Sequence, residues 1–519
     1  MNTWRRMAVG ITALTAAACN IISGADQVEF VPDMKVDAST TTGNGGGNGS
    51  ESAATSGSGN VDPDTTTGSG SMVDTTPVLA DGISVTEVKL YQGVERPLMK
   101  GGAPISSKVP IVAGRDAYLR VFYSAQQPME VTLQLDLGDG GEPLEVPAKV
   151  SGTSNQASLA SSVNVMVPGA RLANATGFRV SLLVPGGAAS GSNSAASYPA
   201  SGLADLPVES AGSTMKLVLV PIAYEADGSK RLPDTSAEQV ERYRKAFFRL
   251  YPIPNITVTV KPAVSWKQKV DPGGSGWDDL LNAIVDYRQK SGAGNDEYYY
   301  GVFNAAASFA SFCSQGCVAG LSLLAGPNDA MARAGIGVGF TGDETTGTAA
   351  HEIGHQHGRP HAPCGVSQSV DPLFPHKDGS IGTWGFDLIT KQLIKPDAPD
   401  FMSYCHPEWI SDFNFGKLFD RLKLVNNAAW LGGEEVVYER VAIDAAGRAR
   451  WLGEVTNASA PSGEPTTLEV ETDDGPEQLV GHFYPYSHVG GGVMLVPRTK
   501  APLRSLDFSF GGARIHLPR

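Results

Sequence analysis

The chain has 519 residues, room for about three domains and at least one sizeable hydrophobic core. With 54 acidic against 40 basic residues it carries a formal charge of −14, which repels nucleic acid and anionic membrane surfaces and argues against either as a partner. Its 61 glycines and 18% charged residues suit β-rich, loop-rich exported domains better than long helical bundles.

The first residues, "MNTWRRMAVGITALTAAACN", place two arginines before an apolar stretch and small residues before Cys19, the layout of an export signal. The end of this segment resembles a bacterial lipoprotein signal, in which the cysteine is lipidated and becomes the new N-terminus. Residues 1–19 are therefore expected to form the signal, with lipidation at Cys19 and ordinary cleavage with release as the alternative. Residues 20–77 hold too few large apolar side chains to offset their ordering entropy and are expected to be a disordered Gly/Ser/Thr-rich tether. No later stretch reaches the roughly 18 apolar residues that span a bilayer, so the expected link to a membrane is the lipid anchor alone. The expected location is the cell surface or outer membrane, or otherwise the medium.

Residues 78–212 contain "ISVTEVKLYQ", "DAYLRVFYSA", "MEVTLQLDLG" and "FRVSLLVPGG", alternating apolar runs broken by turn residues, and predict a β-sandwich-like domain. From 213 to 430 the pattern changes. "MKLVLVPIAY" predicts a buried strand, and "TSAEQVERYRKAFFRLYP" a helix capped by Thr235 or Ser236. "NITVTVKPAVSW" predicts a strand, "WDDLLNAIVDYRQKSG" a helix, and "DEYYYGVFNAAA", "GLSLLAG" and "AGIGVGF" further strands. This order describes an α/β layer whose last helix packs beneath a mixed sheet. Short strands return from 431 to 519 and predict a second β-sandwich-like domain. Its "HFYPYSH", 482–488, reads as a partly buried aromatic strand in preference to a sugar-stacking surface.

Between the last two strands of the middle region and its end lies "TAAHEIGHQHGRPH", 348–361, with four of the nine histidines. On a helix, His351 and His355 project from one face and can hold one cation. Gly358 can take the left-handed conformation that ends a helix, turning the chain so that His361 returns as a third ligand. Three neutral imidazoles suit one Zn²⁺ and leave a coordination position open, the pattern of a catalytic site. Glu352, beside the first ligand, is placed to act as general base and then as proton donor to a leaving amine. His357 points to another face and reads as a supporting or exposed residue. The cysteines other than Cys19 number four, an even count in an exported chain, and three pairings are open.

The extended pattern HExxHxxGxxH, followed by "DFMSYC" at 400–405, resembles the metzincin zinc metallopeptidases. The resemblance implies that Met402 forms the Met-turn beneath the metal and that Tyr404 lies over it and stabilises an oxyanion. It implies that "AGIGVGF" is the edge strand, along whose residues 335–340 an extended substrate pairs. It also implies a Cys364–Cys405 bridge holding Met-turn and third histidine together, with Cys313 and Cys317 closing a small loop. The order of β domain, zinc domain and β domain is similar to the bacterial secreted mucinase-type metzincins. No cysteine-switch propeptide is recognisable. The sequence thus predicts an exported zinc metalloendopeptidase acting on proteins or glycoproteins, with a surface adhesin on a protease fold, or a zinc hydrolase of a non-peptide amide, as rivals.

Overall fold

A computed structural model of the chain describes residues 76–186, 193–212, 214–366, 369–427, 436–457 and 460–519. The signal, Cys19 and nearly all of the tether lie outside the described residues, as do the expected boundaries at 213 and 430/431. Among the described residues no helix is long and apolar enough to cross a membrane.

The first region is a nine-stranded antiparallel sheet organised by one long strand, Ala117–Asp136. Its first half pairs with Ile83–Tyr91 and Val163–Val167, and its second with Leu144–Thr153 and Arg179–Val184. A register shift between Ala125 and Met129 lets the strand serve both sets of neighbours. Leu119, Val121, Leu133 and Leu135, from both halves, share one buried core.

The middle region is a six-stranded mixed sheet. Ile256–Val260, Met215–Tyr224, Glu297–Phe303 and Ala334–Val338 lie parallel in that order, and Gly320–Ser322 adds an antiparallel strand at the edge. The continuous apolar run of Met215–Tyr224 follows from burial on both faces. Leu217 and Leu219 pack against the helices Ala237–Leu250 and Asp343–Gln356, while Val218 and Val220 pack with the helix Trp277–Lys290 on the other side. The hydroxyl of Ser236 caps Ala237–Leu250 by accepting from the Gln239 amide at 3.3 Å. "NITVTVKPAVSW" forms two strands, Ile256–Val260 and Val264–Trp266, because Pro262 between them has no amide to donate.

The expected edge position of "AGIGVGF" is corrected by this topology. Ala334–Val338 pairs with Glu297–Phe303 on one side and with Gly320–Ser322 on the other, so the edge belongs to Gly320–Ser322. The glycines serve close packing: a Cβ at Gly335 would overlap Ser322 Oγ, and one at Gly337 would overlap the Tyr300 hydroxyl.

The last region, Val436–Pro518, is a seven-stranded antiparallel sheet. It is fastened to the middle region: Arg440 pairs with Asp286, the Tyr484 hydroxyl donates to Asp329 at 2.8 Å, and Asn282 donates to the Tyr486 hydroxyl at 3.0 Å. Two disulfides, Cys313–Cys317 and Cys364–Cys405, close loops of the middle region.

The first region is locked to the middle one by a buried cation. Arg115, fully shielded from solvent, donates from Nε to Gln92 O at 3.0 Å, from Nη1 to Ile253 O at 2.7 Å and from Nη2 to Phe248 O at 2.5 Å. Each carbonyl stranded without a donor costs about 1–3 kcal/mol. Arg115→Met is therefore expected to destabilise the chain by roughly 3 kcal/mol or more, read as a lowered unfolding temperature in calorimetry; an unchanged temperature would show the two regions to be held by other contacts.

Candidate metal centre

The helix Asp343–Gln356 carries the centre. Its sequence, "DETTGTAAHEIGHQ", has few strong helix formers, and the helix is fixed by packing, with Ala349, Ala350 and Ile353 wholly buried against the sheet. Asp343 and Glu344 in its first turn complement the positive end of the helix dipole. At the other end Gly358 takes a φ of +74°, and the amides of Gly358 and Arg359 turn back onto His355 O at 2.8 Å and Gly354 O at 2.9 Å. A Cβ at Gly358 would also sit 2.7 Å from Ala325 O, so both conformation and space require glycine.

This turn returns His361 to the helix. Among the described residues, His351, His355, His361 and His488 form a group whose ligand atoms lie within 4.8 Å of one another. His351 Nδ1 meets Phe401 O at 2.8 Å and His355 Nδ1 meets Arg359 O at 2.7 Å. A carbonyl can only accept, so both Nδ1 atoms carry the proton and both Nε2 atoms present a lone pair inward. His355 Nε2 and His361 Nε2 are 3.2 Å apart, and His351 Nε2 is buried with no hydrogen-bond partner. With zinc–nitrogen bonds of about 2.0–2.1 Å, two ligands of a tetrahedral ion lie roughly 3.3 Å apart. The donors thus fit a zinc ion.

Electrostatics agree. Burial, with the neighbouring imidazoles, pushes His351 down to about 3 and His355 well below the ordinary histidine range; burial alone takes His488 down to about 3. These rings are neutral at physiological pH, the form in which an imidazole can bind a metal. Burial pushes the Glu352 carboxyl up to about 8, opposed by the His351 ring and the Ser487 hydroxyl, which lies 3.3 Å from Oε2. Glu352 is not in the ligand group; its Oε1 is 2.7 Å from His488 Nε2.

The floor of the centre is Met402, wholly buried under the helix. Asp400 sets its turn: Oδ1 accepts from the Met402 amide at 2.8 Å and from Asn414 Nδ2 at 2.7 Å, and Oδ2 accepts from the Ser411 amide at 2.9 Å. The Ala362 amide donates to Met402 O at 2.9 Å and the Tyr404 amide to Cys364 O at 3.1 Å, and the Cys364–Cys405 bridge spans the same two segments. Tyr404 brings its hydroxyl to 3.4 Å from His361 Nε2 and into contact with His488 Nδ1. His351, Glu352, His361, Tyr404 and His488 all face a cleft of about 2240 Å³.

His357 is buried and lies outside the ligand group. Its Nδ1 meets Ile353 O at 2.8 Å and its ring stacks on Tyr298 at 4.3 Å between centroids, which makes it a packing residue. Three other features escape a reading by spacing. His488 reaches the centre from 127 positions beyond His361, and Ser487 comes with it; the sequence signal was a histidine at the end of "HFYPYSH". A Cβ at Gly320 would overlap Glu352 Oε1, so this glycine makes room for the carboxyl. A Cβ at Gly354, inside the histidine motif, would overlap Met402 Sδ.

Fold and centre together fit a zinc metallopeptidase. Residues 280–412, which include the helix, all three motif histidines and the Met402 turn, match the family Peptidase M66, a zincin-like family. No curated protein matches the chain.

The contact between Gly354 and Met402 is testable. Gly354→Ala is expected to destabilise the chain by about 1–3 kcal/mol through overpacking. Met402→Ala, made in the same chain, is expected to absorb part of that loss. Urea denaturation of the four members of this double-mutant cycle should give a coupling of at least about 0.5 kcal/mol, and additive effects would separate the two residues.

Proposed function

We propose that the chain is an exported, metzincin-type zinc endopeptidase that hydrolyses peptide bonds of proteins or glycoproteins. In this reading residues 213–430 form the catalytic unit and residues 78–212 and 431–519 form β-rich units around it. Cys19 carries a lipid that holds the enzyme at the cell surface or outer membrane. The observation that carries the activity is the convergence of three histidine donors from one helix and its exit turn, with the unligated Glu352 beside them.

His351, His355 and His361 would hold the ion, and Phe401 O and Arg359 O keep the first two rings turned toward it. When bound, Zn²⁺ supplies Lewis acidity toward a carbonyl oxygen and lowers the pKa of water at the site to about 7. Glu352 takes the proton of the attacking water on its carboxylate and passes it to the leaving amine. Its buried setting, which already favours the protonated carboxyl, suits the second half of that task. The Tyr404 hydroxyl donates to the oxygen on which negative charge develops. Met402 and the Cys364–Cys405 bridge keep Tyr404 and His361 in register.

Glu352→Gln is expected to retain one zinc per chain by mass spectrometry. Its cleavage of casein or of a mucin-type glycoprotein should fall by roughly 10²–10⁴-fold. Chelation should silence the wild-type chain and added zinc restore it. Undiminished cleavage by Glu352→Gln would end this reading.

A further inference from the structure

The last sheet sends a hairpin tip into the centre. Between its strands Gly475–Pro485 and Gly492–Pro497, the tip "YSHVGG" begins at Tyr486 and carries Ser487 and His488. Tyr486 bridges Leu323 in antiparallel fashion. The Ser322 amide donates to Ser487 Oγ at 3.0 Å, and the Ser487 amide donates to Ser322 O at 3.0 Å. The tip therefore extends the mixed sheet along the outer side of Gly320–Ser322, the edge at which an extended peptide would add as a strand.

His488 then enters the space that the chemistry requires. Its ring centroid is 4.9 Å from that of His361 and 5.2 Å from those of His351 and His355. Its Nδ1 contacts the Tyr404 hydroxyl, which fixes the ring on one side. Its Nε2 lies 2.7 Å from Glu352 Oε1 without hydrogen-bond alignment and has no hydrogen-bond partner, the same condition as His351 Nε2. Both nitrogens are buried without a protein hydrogen-bond partner, in residues whose ligand atoms lie within 4.8 Å of one another, a spacing at which one cation can serve both. The tip is also held firmly. Tyr486 is anchored by Asn282, and the strand leading to it by Tyr484 on Asp329, an acid that further accepts from the Ser462 amide at 3.1 Å.

We propose that the tip is a built-in plug: His488 is a fourth donor to the metal, and Tyr486–Ser487 occupy the substrate edge, so that this conformation is the closed, resting form of the peptidase. The proposal rests on the zinc-peptidase reading. It gives the chain a means of latency that needs no cysteine-bearing propeptide. Opening requires the tip to leave the Gly320–Ser322 edge, which frees Glu352, Tyr404 and the edge strand together.

The test compares the full wild-type chain with His488→Ala, His488→Gln and His355→Ala. The metal-free proteins are titrated with zinc against a chromogenic chelator, and the visible spectrum of each cobalt-loaded chain is recorded. His488→Ala and His488→Gln should both weaken zinc binding by about tenfold or more and shift the cobalt spectrum from four protein donors toward three. Both should raise kcat/KM on a peptide library. Circular dichroism and unfolding temperature identify any variant that fails to fold, and His488→Gln, which keeps the bulk of the side chain, then carries the comparison. Unchanged zinc affinity and cobalt spectrum in the His488 variants, with both lost in His355→Ala, would overturn the plug while leaving the zinc site intact. Loss of cleavage in His488→Ala would also overturn it, by making His488 a participant in the reaction. Zinc affinity unaffected by His355→Ala would instead bring down the zinc-peptidase reading.

Discussion

The centre depends on one constraint: several imidazole lone pairs must be gathered within a few ångströms of one another with no protein donor to satisfy them. Each such nitrogen is costly to bury alone. The chain meets the constraint by fixing the opposite nitrogen of the ring. Phe401 O and Arg359 O each accept from an Nδ1, so the tautomers of His351 and His355 are set by backbone atoms. Those carbonyls are themselves held in place. Arg359 is gripped by Asn414 at 2.7 Å and Asp371 at 2.5 Å, and Phe401 belongs to the turn that Asp400 organises.

Around this centre, glycine works by the absence of a side chain. Gly354 lets Met402 reach the underside of the helix, Gly320 leaves room for Glu352, and Gly335 and Gly337 bring the sheet close to its neighbours. Only Gly358 is needed for its dihedral angle as well. The helix is therefore not held by intrinsic propensity. It is held by a surface shaped so that small residues can approach closely.

The β regions on either side take part in the structure of the middle one. Arg115 ties the first sheet to the backbone around Phe248 and Ile253. The last sheet does more, since its hairpin tip reaches the acid and the tyrosine on which the proposed chemistry relies. In the proposed closed form, the concentration of these contacts at the centre couples the position of the last sheet to access at the cleft.

The sequence by itself determined what is local. HExxHxxGxxH is a contiguous statement about one helix and one turn, so His351, His355, Gly358 and His361 could be placed by periodicity and by the conformational freedom of glycine. The alternation of strands and a helix cap at Thr235 or Ser236 were legible for the same reason, and the structure places the cap at Ser236. The tertiary structure decided what depends on pairing between distant segments. Strand order cannot be read from the strands themselves, and the edge that the metzincin resemblance implies at "AGIGVGF" is occupied by Gly320–Ser322. His357, on another face of the same helix, proved to be packed against Tyr298, because helical phase gives a direction and not what lies there. His488 was hidden most completely. Its approach is set by the joint placement of two sheets and a hairpin tip, and no spacing in a linear chain encodes where such a tip will land.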